Sequence, residues 1–101
     1  MARFAALLRE HGSTVRNIAF YAERLALTPN HLSAVVRQQS GLSVVDWLNR
    51  TTVTEAKLLL KHSNLMIYEI SDRLQFPEPT AFNRYFKSRV GVTPLEYREG
   101  K

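Results

Sequence analysis

An internal duplication constrains the fold of this chain more than any other feature. Two stretches of the chain align with an offset of 49 residues before a turn and 50 after it. They are "ERLALTPNHLSAVVRQQSGLSV" (23–44) and "DRLQFPEPTAFNRYFKSRVGVTP" (72–94), and the alignment extends to the helix before each of them. The aligned pairs are Ile18 and Ile67, Tyr21 and Ile70, Leu25 and Leu74, Leu27 and Phe76, Leu32 and Phe82, Val36 and Phe86, Arg37 and Lys87, and Gly41 and Gly91. The sequence therefore predicts two similar units, the second with one extra turn residue.

Each copy has the pattern of a short helix, a turn and a second helix, which is the spacing of a helix-turn-helix. In the first copy, Ser13 or Thr14 is predicted to cap one helix, because a hydroxyl before a periodic run accepts first-turn N–H groups. Thr28 followed by Pro29 predicts the start of the next helix, and Gly41 its end. A helix-turn-helix holds its second helix where it can enter a DNA major groove.

A long uninterrupted helix is predicted between the copies. Ser43 with Asp46 three residues later forms its start signal, and no glycine or proline intervenes before about His62. Its length of about 27 to 30 Å compares with about 34 Å between successive major grooves on one face of DNA. Trp47 lies on the apolar stripe of this helix and is predicted to belong to the core.

The predicted fold is all-α, with about seven helices and two helix-turn-helix units joined by a long central helix. The expected boundaries are about 15–41 for the first unit, 43–62 for the linker helix, 66–91 for the second unit and 93–99 for a final short helix. Thr93, Pro94 and Glu96 predict a capping box at that last helix.

Composition narrows the classes of function. The 101 residues include no cysteine, which excludes a disulfide framework, a thiolate metal site and a cysteine nucleophile. His11, His31 and His62 fall on different helices without a second ligand at helical spacing, so no metal site is predicted. Lysine and arginine number 14 against 9 acids, for a net charge of +5, which suits a polyanionic partner.

The outward faces of the second helices distinguish DNA binding from a plain helical bundle. In the second copy, helical spacing leaves Thr80, Asn83, Arg84 and Lys87 outside, and this short, polar, positive surface is typical of groove readers. The corresponding outward set of the first copy is Asn30, Ser33, Ala34 and Arg37. The first set is polar but less charged, which predicts the weaker reader.

The chain resembles the DNA-binding region of the arabinose-operon regulator (AraC) family of bacterial transcription factors. The resemblance extends from about Ala5 to Arg98 and is most specific in "AKLLL" (56–60) and "AFNRYFKSRVGVTPLEYR" (81–98). It implies that the whole chain, 1–101, is one DNA-binding domain with two recognition helices in consecutive major grooves of promoter DNA.

The resemblance also implies roles for individual residues. Base-reading roles fall on Asn30 and Ser33 in the first unit, and on Thr80, Asn83 and Arg84 in the second. The next basic residues along these helices, Arg37 and Lys87, are expected to meet phosphates or to pack within their own units. Backbone N–H groups at helix starts near Thr14 and Leu65 are further candidates for phosphate contact.

The sequence departs from the family pattern at four positions. Ala34 stands where an arginine or similar long side chain is common, so the first unit is expected to contribute orientation more than sequence reading. Thr52 replaces a usual arginine of the long helix, with Arg50 as the candidate replacement. Ala26 and Gln75 occupy places of usual glycines; a left-handed backbone there would cost on the order of 1 kcal/mol relative to glycine, unless the turn uses another geometry.

Other functions are weaker fits. A basic helical module that binds an acidic protein partner is the main alternative, and steep salt dependence would separate DNA binding from it. The amphipathic long helix could lie on a membrane, but Asp46 and Glu55 dilute its basic face. No nucleophile setting appears, so an enzyme is not predicted, and neither is a catalytic residue or a cofactor.

The resemblance sets further expectations about context. RNA polymerase is a candidate second partner for transcription activation. Family members commonly carry a separate effector or dimerisation domain, which this length has no room for, so the chain is expected to be a fragment, although small standalone members of the family also exist. The expected location is the bacterial cytoplasm, in association with the nucleoid.

Overall fold

The computed structural model describes residues 1–100, which form seven α-helices and their connecting turns. The helices are α1 (Ala2–His11), α2 (Ile18–Arg24), α3 (Pro29–Ser40), α4 (Val44–His62), α5 (Ile67–Arg73), α6 (Pro79–Val90) and α7 (Pro94–Glu99). The described residues contain no strand. The chain divides into two compact units, one up to Thr52 and one from Val53 onward, and α4 contributes to both. The predicted all-α fold with a long central helix is confirmed.

The first unit packs around Tyr21. Its buried residues are Phe4, Leu8, Tyr21, Ala22, Leu32, Val36, Val44 and Leu48. The Tyr21 ring meets the Phe4 ring edge-on at 6.0 Å, and the Tyr21 hydroxyl donates a hydrogen bond of 2.5 Å to the Val15 carbonyl. Burial raises the pKa of Tyr21 to about 12, because the phenolate would be poorly solvated there.

The second unit has a more aromatic core. Its buried residues are Ala56, Leu60, Ile70, Leu74, Phe82 and Phe86. Ring centroids lie 5.2 Å apart for Phe76 and Phe82, 6.0 Å for Phe82 and Phe86, and 5.6 Å for Phe86 and Tyr97. This chain of rings holds α6 and α7 against the turn that follows α5.

The duplication extends to the backbone. Positive φ angles occur at two equivalent pairs of described residues: 57° at Ala26 and 66° at Gln75 in the turns, and 80° at Gly41 and 98° at Gly91 after the recognition helices. The two non-glycine residues therefore do adopt the left-handed conformation that the missing glycines would favour. Each is strained by about 1–2 kcal/mol, because Cβ crowds the following carbonyl.

Capping boxes open α4 and α7 at equivalent positions. The Ser43 amide donates to Asp46 Oδ2 at 3.2 Å while the Asp46 amide donates to Ser43 Oγ at 3.0 Å. Thr93 and Glu96 repeat this exchange at 2.8 and 3.1 Å. The backbone hydrogen bond from the capping residue is the main cause that lowers the pKa of each carboxyl group, because it favours the ionised form. The predicted helix start at Ser43 and the predicted capping box at Thr93 are both confirmed.

The predicted cap of α2 was wrong. Asn17 is the N-cap, and its Oδ1 accepts from the Ala19 amide at 2.9 Å. Thr14 instead lies in a turn after α1, where its amide donates to the His11 carbonyl at 3.0 Å and its hydroxyl lies 3.3 Å from the same oxygen. Thr14 thus does not start a helix.

The predicted start of α5 near Leu65 agrees with the structure to within two residues. The helix begins at Ile67, after Met66, whose amide donates to Glu69 Oε1 at 2.7 Å. The Leu65 amide donates to Ser63 Oγ at 3.2 Å, so it is already used within the turn.

Thr52 is supported by the backbone rather than by Arg50. The Thr52 side chain is fully buried, and its hydroxyl lies 2.9 Å from the Leu48 carbonyl and 3.3 Å from that of Gly12, so it ties α4 to the end of α1. Arg50 is exposed, with its guanidinium 5.9 Å from the centre of the Trp47 ring. Trp47 itself is half-buried against the first core, in agreement with its predicted core position.

Two basic residues cap each other's helices in the second unit. Arg98, on α7, donates through Nε to the Leu60 carbonyl of α4 at 2.9 Å. Lys61, on α4, donates to the Gly100 carbonyl after α7 at 3.2 Å, and its Nζ lies 4.9 Å from the Tyr97 ring centre. Positive charge at these helix ends complements the partial negative charge of the carbonyls. These contacts of Tyr97 and Arg98 give a structural role to the Tyr-Arg pair at the end of the sequence motif.

Two further features are absent from residues 1–100. None of the helices there combines the length and apolar character that a membrane span requires. The same residues hold no group of three or more histidine, cysteine or acidic side chains placed to bind a metal ion.

Candidate nucleic-acid interface

The recognition helices α3 and α6 are each fixed to their own unit by two buried residues one turn apart. In α3 these are Leu32 and Val36, and in α6 they are Phe82 and Phe86. Because residues four apart lie on one face of a helix, the opposite side of each helix is left to solvent. Proline at the first helical position and a left-handed glycine after the last give both helices the same start and stop.

We define the α6 face as Thr80, Asn83, Arg84 and Lys87. All four side chains are exposed. Within residues 1–100, neither Asn83 nor Arg84 makes a side-chain hydrogen bond or an ion pair. The two side chains with the largest hydrogen-bonding capacity on this face are therefore available to an external partner.

Arg89 lies on the same helix but is held differently. Its guanidinium lies 4.1 Å from the centre of the Tyr85 ring and donates to Ser88 Oγ at 3.2 Å. Stacking of this kind keeps the charge at the surface while it reduces the freedom of the side chain. Arg89 is thus better suited to a general electrostatic contribution than to hydrogen bonds with bases.

We define the α3 face as Asn30, Ser33, Ala34 and Arg37. Asn30, Ala34 and Arg37 are exposed, whereas Ser33 is half-buried. The Asn30 side chain makes no hydrogen bond within the described part of the chain. Arg37 is the one charged residue of this face, so it is less positive than the α6 face with Arg84 and Lys87.

Arg37 and Lys87 also occupy equivalent electrostatic positions. Arg37 contributes, after the hydrogen bonds from Ser43, to lowering the pKa of Asp46, and Lys87 contributes in the same way to that of Glu96. Each basic residue therefore interacts with the capping box of its own unit while it stays exposed. Both predicted alternatives, a phosphate contact and packing within the unit, are compatible with this position.

Two recognition helices with exposed polar and basic faces, each supported by a separate core, define a tandem helix-turn-helix DNA-binding domain.

Similarity to known proteins agrees with this class of domain. A family described as "Helix-turn-helix domain" matches residues 21–100. The arabinose operon regulatory protein of Salmonella typhimurium is 36% identical over 84 residues, which cover 83% of this chain and 30% of that protein.

Solved structures share the fold. The C-terminal domain of AraT, a response regulator from Geobacillus stearothermophilus, matches with a TM-score of 0.90 and 29% identity over 99% of this chain and 84% of that one. The DNA-binding domain of AdpA, a global transcriptional factor solved in complex with a target DNA, matches with a TM-score of 0.84 and 26% identity over 96% of this chain and 87% of that one.

The chain belongs to the AraC family of helix-turn-helix DNA-binding domains. This confirms the predicted family, and members of the family are DNA-binding regulators rather than enzymes. The chain spans about 30% of the length of the curated relatives that it matches first.

Proposed function

We propose that this chain binds promoter DNA in a sequence-specific manner for a bacterial transcription regulator, with α3 and α6 in consecutive major grooves. The observation that carries the proposal is the pair of outward faces on equivalent helices, on which the side chains of Asn30, Asn83 and Arg84 are exposed and make no hydrogen bond or ion pair within residues 1–100. Such groups match the donor and acceptor pattern of base edges in the major groove. The AdpA structure shows this fold in complex with DNA in a relative.

Direct base reading is assigned mainly to the second unit. Arg84 has the geometry to donate two hydrogen bonds to O6 and N7 of a guanine, and Asn83 or Thr80 meets neighbouring base edges. In the first unit the same role falls to Asn30 and Ser33. The half-buried position of Ser33 supports a smaller contribution from that residue.

Phosphate contacts are assigned to the basic residues further along each helix. Arg37 and Lys87 are exposed long side chains, and neutralising a phosphate needs no fixed geometry. The phosphate contact predicted at Thr14 has no support, because its amide is bonded to His11 and no helix begins there. The amide of Leu65 is likewise occupied by Ser63.

Two substitutions distinguish the base-reading role of Arg84 from the phosphate-contact role of Lys87. Arg84→Ala should weaken binding by about 1–3 kcal/mol on the preferred site and relax the preference at particular base pairs, because it removes a specific base contact. Lys87→Ala should weaken binding to all sequences alike. It should also reduce the slope of log affinity against log salt concentration by about 1, the contribution of one phosphate contact. Both changes are at exposed positions, so circular dichroism should show an unchanged fold.

The alternative function, a basic module for an acidic protein partner, gives a different outcome in the same titrations. Equal losses on every duplex from both substitutions would contradict the base-reading role of Arg84. Absence of any salt-dependent affinity for duplex DNA would favour the protein partner, because counterion release accompanies every phosphate contact.

For the whole regulator, we propose promoter DNA as one partner and RNA polymerase as another, with the complex located at the bacterial nucleoid. The effector or dimerisation function is assigned to a part of the regulator other than this domain, in keeping with the 30% of the relative that the domain spans. Reporter transcription from a promoter with the selected site would test recruitment of the polymerase. An inactive reporter despite bound protein would contradict it.

A further inference from the structure

We propose that the first unit selects an A·T-rich half-element through Ala34 and Asn30, while the second unit selects a half-element that contains guanine. This inference rests on the proposed DNA-binding function and adds the base composition of each half-element. It differs from the view that the first unit only anchors the protein.

Ala34 and Arg84 occupy the same position of the duplicated fold. They are 50 residues apart in helices that begin at Pro29 and Pro79, so each is the sixth residue of its helix. Both side chains are exposed. When α3 and α6 dock alike in their grooves, Ala34 faces the base position that corresponds to the one Arg84 faces, with a side chain that ends at Cβ.

The chemistry of the two side chains at this position is opposite. Arginine donates two hydrogen bonds to guanine, which makes it the commonest reader of that base. Alanine offers one methyl group, which makes apolar contact with the C5-methyl of thymine and offers guanine nothing. Alanine in place of arginine thus removes guanine reading at this position of the first unit and leaves an apolar contact in its place.

Asn30 adds adenine reading to the same face. Its side-chain amide can accept from N6 and donate to N7 of an adenine at once. It is exposed and makes no hydrogen bond within residues 1–100, so this amide is free to do so. An amide reader of adenine and a methyl group for thymine together favour A·T pairs.

The test uses the duplex that binds best in selection, with its thymines replaced by deoxyuracil in one half-element at a time. This replacement removes only the C5-methyl groups. We expect about fourfold weaker binding for each thymine methyl that Ala34 contacts, from the usual value of a buried methyl group. The first half-element is identified as the one whose preference Arg84→Ala leaves unchanged.

A gain-of-function variant provides the second arm. Ala34→Arg should create a preference of roughly tenfold for guanine at one position of the first half-element, because it reproduces the side chain of the second unit. Asn30→Ala should relax the adenine preference at a neighbouring position. Circular dichroism of each variant establishes that the helices are intact.

The outcomes separate this inference from the proposed function. Site-specific binding with a random first half-element, or with no effect of deoxyuracil and no guanine gain from Ala34→Arg, would overturn the inference and leave the proposed function standing. If the parent protein shows no sequence preference in either half-element, the proposed function itself is overturned.

Discussion

The left-handed residue Ala26 allows a sharp test of the turn geometry in the first unit. Its φ of 57° lies in the region that glycine adopts without penalty, and its side chain is exposed. Ala26→Gly therefore removes a Cβ that strains the backbone and contributes no core packing. We expect the variant to be more stable than the parent.

The magnitude follows from two opposing effects. A left-handed conformation costs an L-residue about 1–2 kcal/mol. Glycine offsets part of this gain, because the greater conformational entropy of the unfolded chain lowers stability by about 0.4–1 kcal/mol. The expected net increase in the free energy of unfolding is about 0.5–1 kcal/mol, which corresponds to a rise of roughly 3–6 °C in the melting temperature of a small domain.

Ala6→Gly is the matched control. Ala6 is exposed in the middle of α1, where the same chemical change should lower stability by about 0.5–1 kcal/mol. Urea denaturation of both variants and of the parent, followed by circular dichroism, measures the two differences. A destabilisation by Ala26→Gly equal to that of Ala6→Gly would refute the left-handed assignment at Ala26.

Two further predictions concern buried groups. Ser71 is fully buried and its hydroxyl has no hydrogen-bond partner in the described chain, so Ser71→Ala should stabilise the second unit by about 1 kcal/mol in thermal denaturation, as the equivalent Ala22 of the first unit indicates. A lower melting temperature would show that this hydroxyl does have a partner. The raised pKa of Tyr21, about 12, means that stability present below pH 10 is lost as the pH rises toward 12, and Tyr21→Phe should remove this part of the alkaline loss. Identical alkaline unfolding profiles for parent and variant would contradict that origin.

The duplication made much of the fold predictable from the sequence. Offsets of 49 and 50 residues brought both recognition helices into register, and the spacing of three residues in Ser43 with Asp46 and Thr93 with Glu96 located two helix starts. These signals are local, because a capping box involves only one turn of backbone.

The errors arose where several local signals compete. Ser13, Thr14 and Asn17 are all capable N-caps, and sequence alone does not show which one is used. Thr14 lies in the turn after α1, where its amide and hydroxyl both bond to the His11 carbonyl, and α2 begins only at Ile18. Asn17 then caps α2 three residues later than predicted.

Contacts between distant residues were beyond the local pattern. Thr52 bonds to the Gly12 carbonyl 40 residues away, and Arg98 bonds to the Leu60 carbonyl 38 residues away. The same limit applies to the candidate interface. Helical spacing predicted that Asn83 and Arg84 face outward, but only the structure shows that they have no hydrogen-bond or ion-pair partner among residues 1–100.

Selection from a randomised duplex pool, with the winners titrated at several salt concentrations, tests the central claim most directly. We predict a bipartite site with two half-elements about 10 base pairs apart and an affinity that falls steeply with salt. A pool that stays random, with no salt-dependent binding, would contradict sequence-specific DNA recognition by this chain.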